Sequence, residues 1–191
     1  MTSSRRDFIK ASAAGAAIAA TGGIAGCAEA EQPDNAAAPA NHKPRDILIL
    51  GGPCFMGPHM VREALRRGHS VTLFNRGRTN NTLFPDLETI KGDRDKGLDG
   101  LVGRKWDAVS DNSGYVPRHV QDSARLLAPN CNRDLYISTV AVYTDFTSAI
   151  DEDSPLATID DETVEEVTWE TYGPLKALCE QRAAAEVAPE K

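Results

Sequence analysis

Two stretches of this 191-residue chain hold residue types whose spacing supports chemistry. "GGPCFMG" (Gly51 to Gly57) puts glycines at both ends of a turn between an apolar run and an amphipathic one. Gly51 can make a bend that a side chain would obstruct, and Gly57 lets the next helix approach a sheet closely. The helix that begins there offers free N–H groups and a positive dipole end to a pyrophosphate. Late in the chain, "TYGPLK" sets Tyr172 and Lys176 at i and i+4, on one face of a helix. A tyrosine of ordinary pKa, about 10, is a poor base at neutral pH, and a nearby ammonium favours its phenolate.

About twenty residues past the glycine turn, a second apolar run ends in "FNRGRT". An acidic side chain at that point accepts hydrogen bonds from a ribose 2′-OH. Asn75 stands there instead, with Arg76 and Arg78 beside it. A carboxylate would repel a 2′-phosphate, whereas guanidinium groups bind one bidentately, so NADP is favoured over NAD.

The elements that must position these residues alternate strand and helix. "DILIL" is a continuous apolar run, as expected of a strand buried on both faces. "GPHMVREALRRGH" has helical spacing through Met60, Val61, Ala64 and Leu65 and stops at Gly68. "SVTLFN", "LETIKGD", "WDAVSDN" and "RDLYIST" read as further strands, with "VPRHVQDSARLLA" and "TYGPLKALCEQRAAAEV" as helices. This alternation predicts an α/β fold with a doubly wound parallel sheet. Trp106 and Trp169 are expected to be packing residues.

The series "GGPCFMG", "KGDRD", "DNSGY", "STVAVY" and "TYGPLK", in this order and spread over most of the folded part, resembles the extended and atypical short-chain dehydrogenase/reductase superfamily, the NAD-dependent epimerase/dehydratase-like proteins. The resemblance implies a Rossmann fold over residues 45–191, truncated before the C-terminal substrate-binding part. It implies that Tyr172 is the general acid/base, that Lys176 assists it and bonds the nicotinamide ribose, and that Thr139 orients the substrate, with Ser138 as a neighbouring substitute. Cofactor contacts are implied for Gly51, Gly52, Phe55, Met56, Gly57, Asn75, Arg76, Arg78, Asp93, Ser113 and Lys176, with Gly114 alongside. The reaction implied is NAD(P)-dependent oxidoreduction, or epimerase/dehydratase-like chemistry, on a small hydroxyl or carbonyl substrate such as a nucleotide sugar. A homodimer is compatible with it. The alternative is a non-catalytic NAD(P)-binding module. Where the usual fingerprint is G-x-x-G-x-x-G, the middle position here is Cys54.

Residues 1–26 read as an address. "SRRDFIK" followed by "ASAAGAAIAATGGIAG" resembles a bacterial twin-arginine export signal. "IAGC" resembles a lipoprotein cleavage box that would leave Cys27 lipidated, although plain signal cleavage fits the same residues. Residues 27–44 are Ala-, Pro- and polar-rich and read as a flexible linker. The expected location is the periplasm or the outer face of the membrane. A formal net charge of −7 argues against a nucleic-acid partner. Four cysteines without CxxC spacing argue against a zinc or disulfide framework, and the acidic run from Asp151 to Glu166 reads as a solvated loop, so no metal is expected.

Overall fold

The apolar run Asp46–Leu50 forms strand β1, and its last three residues are buried on both faces. The computed structural model describes residues 43–187, so the export signal, Cys27 and the linker up to residue 42 lie outside the described residues. After the glycine turn comes helix α1 (Gly57–Arg66), then β2 (Ser70–Asn75) and β3 (Glu88–Lys91). Next are β4 (Ala108–Asp111), helix α2 (Pro117–Leu127), β5 (Asp134–Tyr136) and helix α3 (Trp169–Glu186). All five strands are parallel in the order β3-β2-β1-β4-β5. This is the doubly wound, Rossmann-like sheet expected from the alternation. The strand order reverses between β1 and β4, so the crevice for a ligand lies beyond Leu50 and Asp111.

Two apolar layers sandwich the sheet. On one face Ile49, Val61, Val71 and Leu73 pack under α1. On the other Leu48, Leu50, Phe74, Trp106, Val109 and Leu127 form the larger core. Trp106 packs there as expected, but Trp169 begins α3 with its ring 62% exposed. A helix's first turn projects beyond the surface its later turns cover, which corrects the expectation for that residue.

Helix α3 is apolar around most of its girth, with Leu175 to Cys179 all buried, because it packs on α2 and on the turn after β5. Thr168 caps it, and Thr171 returns the bond to the Thr168 N–H. Strand β5 is shorter than its sequence suggests. Ile137 N–H still donates to Asp111, but the chain then bends at Thr139 into a single helical turn, Val140–Val142.

Candidate functional site

The glycine turn sits at the point where the strand order reverses. Gly51 and Gly52 have φ of +117° and +97°, a region that side chains avoid. A Cβ on Gly51 would lie 2.1 Å from Asn112 Oδ1, and one on Gly57 would lie 2.2 Å from the Gly52 carbonyl oxygen. The turn therefore fits against both β4 and α1 only as glycine. Cys54 is exposed, and its carbonyl accepts from Gly57 N–H. The left-handed backbone falls on the next residue, Phe55 (φ +54°), whose ring is 86% exposed. Met56 is also exposed and N-caps α1. The departure from the fingerprint at Cys54 thus leaves the fold of the turn intact.

At the end of β2, both ends of the Asn75 amide are engaged: Nδ2 donates to the Gly51 carbonyl (3.3 Å), and Oδ1 accepts from Gly77 N–H (2.8 Å). Asn80 Nδ2 donates to the Pro53 carbonyl (2.8 Å). These bonds stitch the loop after β2 to the glycine turn and leave Arg76 and Arg78 exposed. Asp93, half-buried after β3, accepts from Asp95 N–H. Ser113 Oγ donates to the Leu50 carbonyl (3.0 Å), tying the loop after β4 to β1.

On the other side of the turn, Lys176 is 4% exposed. Its ammonium donates to the carbonyls of Ile137 (2.6 Å) and Gly114 (3.0 Å) and lies 4.1 Å from the centre of the Tyr136 ring. Burial pulls its pKa down to about 8, opposed by the charges of Cys179 and Asp111. Tyr136 donates from its hydroxyl to the same Gly114 oxygen. The Tyr172 ring stands 6.3 Å from that of Tyr115. A Cβ on Gly173 would lie 2.2 Å from the Ala141 carbonyl oxygen, so α3 abuts the Thr139 turn at the residue next to Tyr172. Thr139 Oγ1 accepts from Ala141 N–H, and the neighbouring Ser138 hydroxyl is buried without a hydrogen-bond partner. The structure thus gathers the segments bearing Thr139, Tyr172 and Lys176. It sets Asn75, Arg76, Arg78 and Asp93 at the ends of β2 and β3, beyond the glycine turn from them.

Several supporting residues escape a reading of the sequence. Arg94 crosses from the loop after β3 to Asp111 at the end of β4, 2.6 Å apart and with side chains only 10% and 6% exposed. Asp111 also accepts from Ser113 N–H (3.1 Å). Burial and the Asp111 charge push the Asp134 carboxyl up to about 6. Tyr115 and Tyr136 flank the Lys176 ammonium, and Lys91 runs past Gly77 at the end of β3. Arg94, Asp111 and Tyr115 lie inside quoted motifs, but no local spacing pairs residues that meet only across the sheet. Asp95, His119 and Glu165 also converge, with ligand atoms within 4.8 Å. Arg118 stands among them, pairing with Asp95 (3.1 Å) and Glu165 (2.7 Å). Its guanidinium supplies the positive charge those carboxylates need.

Residues 2–22 match the family model for the twin-arginine translocation pathway signal sequence. Over 128 residues the chain is 30% identical to the chloroplast stem-loop binding protein of 41 kDa b of Arabidopsis thaliana, covering 59% of this chain and 34% of that one. Among solved structures, the Bordetella bronchiseptica enzyme WbmG in complex with NAD and UDP superposes with a TM-score of 0.58 at 19% identity, over 74% of this chain and 49% of that one. The UDP-Glc/GlcNAc 4-epimerase of Campylobacter jejuni gives 0.58 at 19%, over 74% and 50%. The dTDP-glucose 4,6-dehydratase of Bacillus anthracis, in complex with NAD, gives 0.56 at 19%, over 74% and 50%. The fold is therefore that of the NAD-dependent epimerases and dehydratases. The chain spans about half the length of these structures and about a third of the curated relative. Among the described residues no helix is long and apolar enough to cross a membrane.

Proposed function

We propose that this chain is an exported NAD(P)-binding protein of the epimerase/dehydratase-like, extended short-chain type, acting on a hydroxyl or carbonyl substrate of the nucleotide-sugar class. The observation that carries this reading is one juxtaposition. A glycine turn that tolerates no Cβ lies at the strand-order reversal, with a buried α3 lysine bonded to the neighbouring loops, one helical turn from a tyrosine. The residues fit a dinucleotide. Gly51 to Gly57 lead the backbone into the N-terminus of α1, where a pyrophosphate is favoured.

Bound there, a nicotinamide would supply the hydride donor or acceptor. Tyr172 holds the proton exchanged with the substrate oxygen, and Thr139 orients that oxygen. Lys176, held by Gly114 and Ile137, keeps a positive charge beside the helix face that carries Tyr172, where it assists the proton transfer and bonds the nicotinamide ribose. Arg76 and Arg78, with Asn75 in place of an acid, favour NADP over NAD. The folded domain spans residues 45–191, behind a linker over residues 27–44 that starts at Cys27, the lipidation site. The twin-arginine route carries folded proteins, so a domain can leave the cytoplasm with its cofactor in place.

The test is thermal stability and tryptophan fluorescence of the mature protein with NAD(H) and NADP(H). A response to either pair supports the reading, and no response to any of them overturns it. With a substrate in hand, Tyr172→Phe should abolish turnover while leaving cofactor affinity within about two-fold. Retained turnover in that variant would remove Tyr172 from its catalytic role.

A further inference from the structure

A lysine taken out of water keeps its charge only where other groups replace the water, most often a carboxylate. Lys176 is buried and makes no ion pair among the described residues. Asp111, whose charge reaches it, is held by Arg94 at 2.6 Å. The direct partners of the ammonium are all neutral. They are the carbonyls of Ile137 and Gly114, the Tyr136 ring, centred 4.1 Å from Nζ, and the Tyr115 ring at 5.5 Å. Both ring distances fall within the ~6 Å over which an aromatic face attracts a cation.

The Tyr136 ring is itself fixed in place. Tyr136 is the last residue of β5, in register with Asp111 of β4. A Cβ on Gly114 would lie 2.7 Å from Tyr136 Cε2, so the ring rests against bare backbone where a side chain would not fit. Its hydroxyl donates to the Gly114 carbonyl (2.9 Å), the same oxygen that accepts from Lys176. Burial holds the phenol well above its usual pKa, so Tyr136 stays a neutral ring with its proton. One carbonyl oxygen thus clamps both ring and ammonium. A carboxylate in this place would cancel the lysine charge. A ring face and two carbonyls hold the charge uncancelled, one helical turn from Tyr172.

We propose that Tyr136 is a positioning residue of the site: its ring face keeps the Lys176 ammonium charged and in place, in the role a counter-ion would otherwise fill. The proposal rests on the dinucleotide-binding reading, in which that charge meets the nicotinamide ribose, and adds to it a residue of β5 that acts through Lys176. The other titratable groups that act on Lys176 are Asp111 at the end of β4, Cys179 and Glu180 on α3, and Arg94 in the loop after β3. Tyr115 and Tyr172 complete the surroundings. A change at Tyr136 leaves all of these side chains present.

The test is a pH titration of the full chain by NMR, with lysine labelled by carbon-13 at Cε. The Lys176 signal is the one missing from Lys176→Arg. In the wild type its midpoint should lie near 8, and the ring current of Tyr136 should move its ε-protons upfield of those of exposed lysines. Tyr136→Phe keeps the ring and should leave the midpoint where it is. Tyr136→Leu and Tyr136→Met remove the ring and should lower the midpoint by about one pH unit, as loss of a desolvated cation–π contact requires. Affinity for NAD⁺ or NADP⁺, measured by calorimetry, should fall with rising pH at the same midpoint in each protein.

An unchanged midpoint in the two variants without the ring overturns the proposal. So does an equal drop in Tyr136→Phe, which would assign the effect to the hydroxyl. Wild-type ε-protons that resonate with those of the exposed lysines also overturn it, and that result needs no variant to fold. Dinucleotide affinity that is constant across the Lys176 midpoint overturns the role of this charge in binding and leaves the dinucleotide reading intact. Failure to bind either dinucleotide overturns that reading and the role in binding with it, while the titration still decides whether the ring holds the charge.

Discussion

Removing Arg94 isolates a carboxylate that the fold has taken out of water. Arg94 Nη2 lies 2.6 Å from Asp111 Oδ1, with side chains 10% and 6% exposed, so solvent screens the pair little. At that distance and an effective dielectric of about 20, the attraction is about 6 kcal/mol. Desolvating each ion costs several kcal/mol, so the intact pair contributes little net stability. Losing one partner is different. In Arg94→Met the Asp111 carboxylate keeps its desolvation cost and its repulsion with Asp134, and loses its ion-pair partner. The expected cost at pH 7.5 is about 3–5 kcal/mol, out of a total of about 5–15 kcal/mol for a domain, or a fall in melting temperature of about 10 °C. Urea unfolding followed by the fluorescence of the buried Trp106 measures this directly. The double change Arg94→Met with Asp111→Leu should recover most of the loss, because neither half of the buried pair is left without its partner. A loss below about 1 kcal/mol would refute the idea that the pair is desolvated.

Further expectations follow from the same region and from α3. Burial raises Asp134 to about 6, so the folded state binds this proton more tightly than the unfolded chain. Wild-type stability should then fall as pH rises from about 4 to 6. Asp134→Asn should flatten that fall and gain stability at pH 7 but not at pH 4, as read from parallel denaturation curves. Gly173→Ala places a Cβ 2.2 Å from the Ala141 oxygen, a backbone atom that cannot rotate away. It should cost about 1–3 kcal/mol and loosen α3 from the Thr139 turn, detectable as faster amide exchange at residues 139–142 and 172–176.

Much of the first half of the fold is legible in the sequence because its cues are local. "DILIL" reads as β1, the glycines read as the turn, and Met60, Val61, Ala64 and Leu65 mark the helix that follows. Strand β5 is less legible. "RDLYIST" has the composition of a longer strand, but Thr139 caps a helical turn that α3 holds in place through the close approach at Gly173. Trp169 misled for a related reason: burial of an aromatic ring depends on what covers it, and nothing near it in sequence reports that. At the fingerprint's middle position the structure exposes Cys54 and gives the left-handed backbone to Phe55.

By itself, then, the sequence determined the elements, the parallel class of the sheet and the place of the glycine turn. Each follows from hydrophobic period, from φ angles open only to glycine, or from residues one helical turn apart. Only the tertiary structure decided which groups meet across the sheet. Lys176 reaches Gly114, 62 residues away, and Arg94 meets Asp111 on another strand. Lys91 comes alongside Gly77 through the β2–β3 register. The physical reason is that crossover connections bring strand ends together irrespective of their distance along the chain. Burial at that shared edge then sets the charges, lowering Lys176 and raising Asp134.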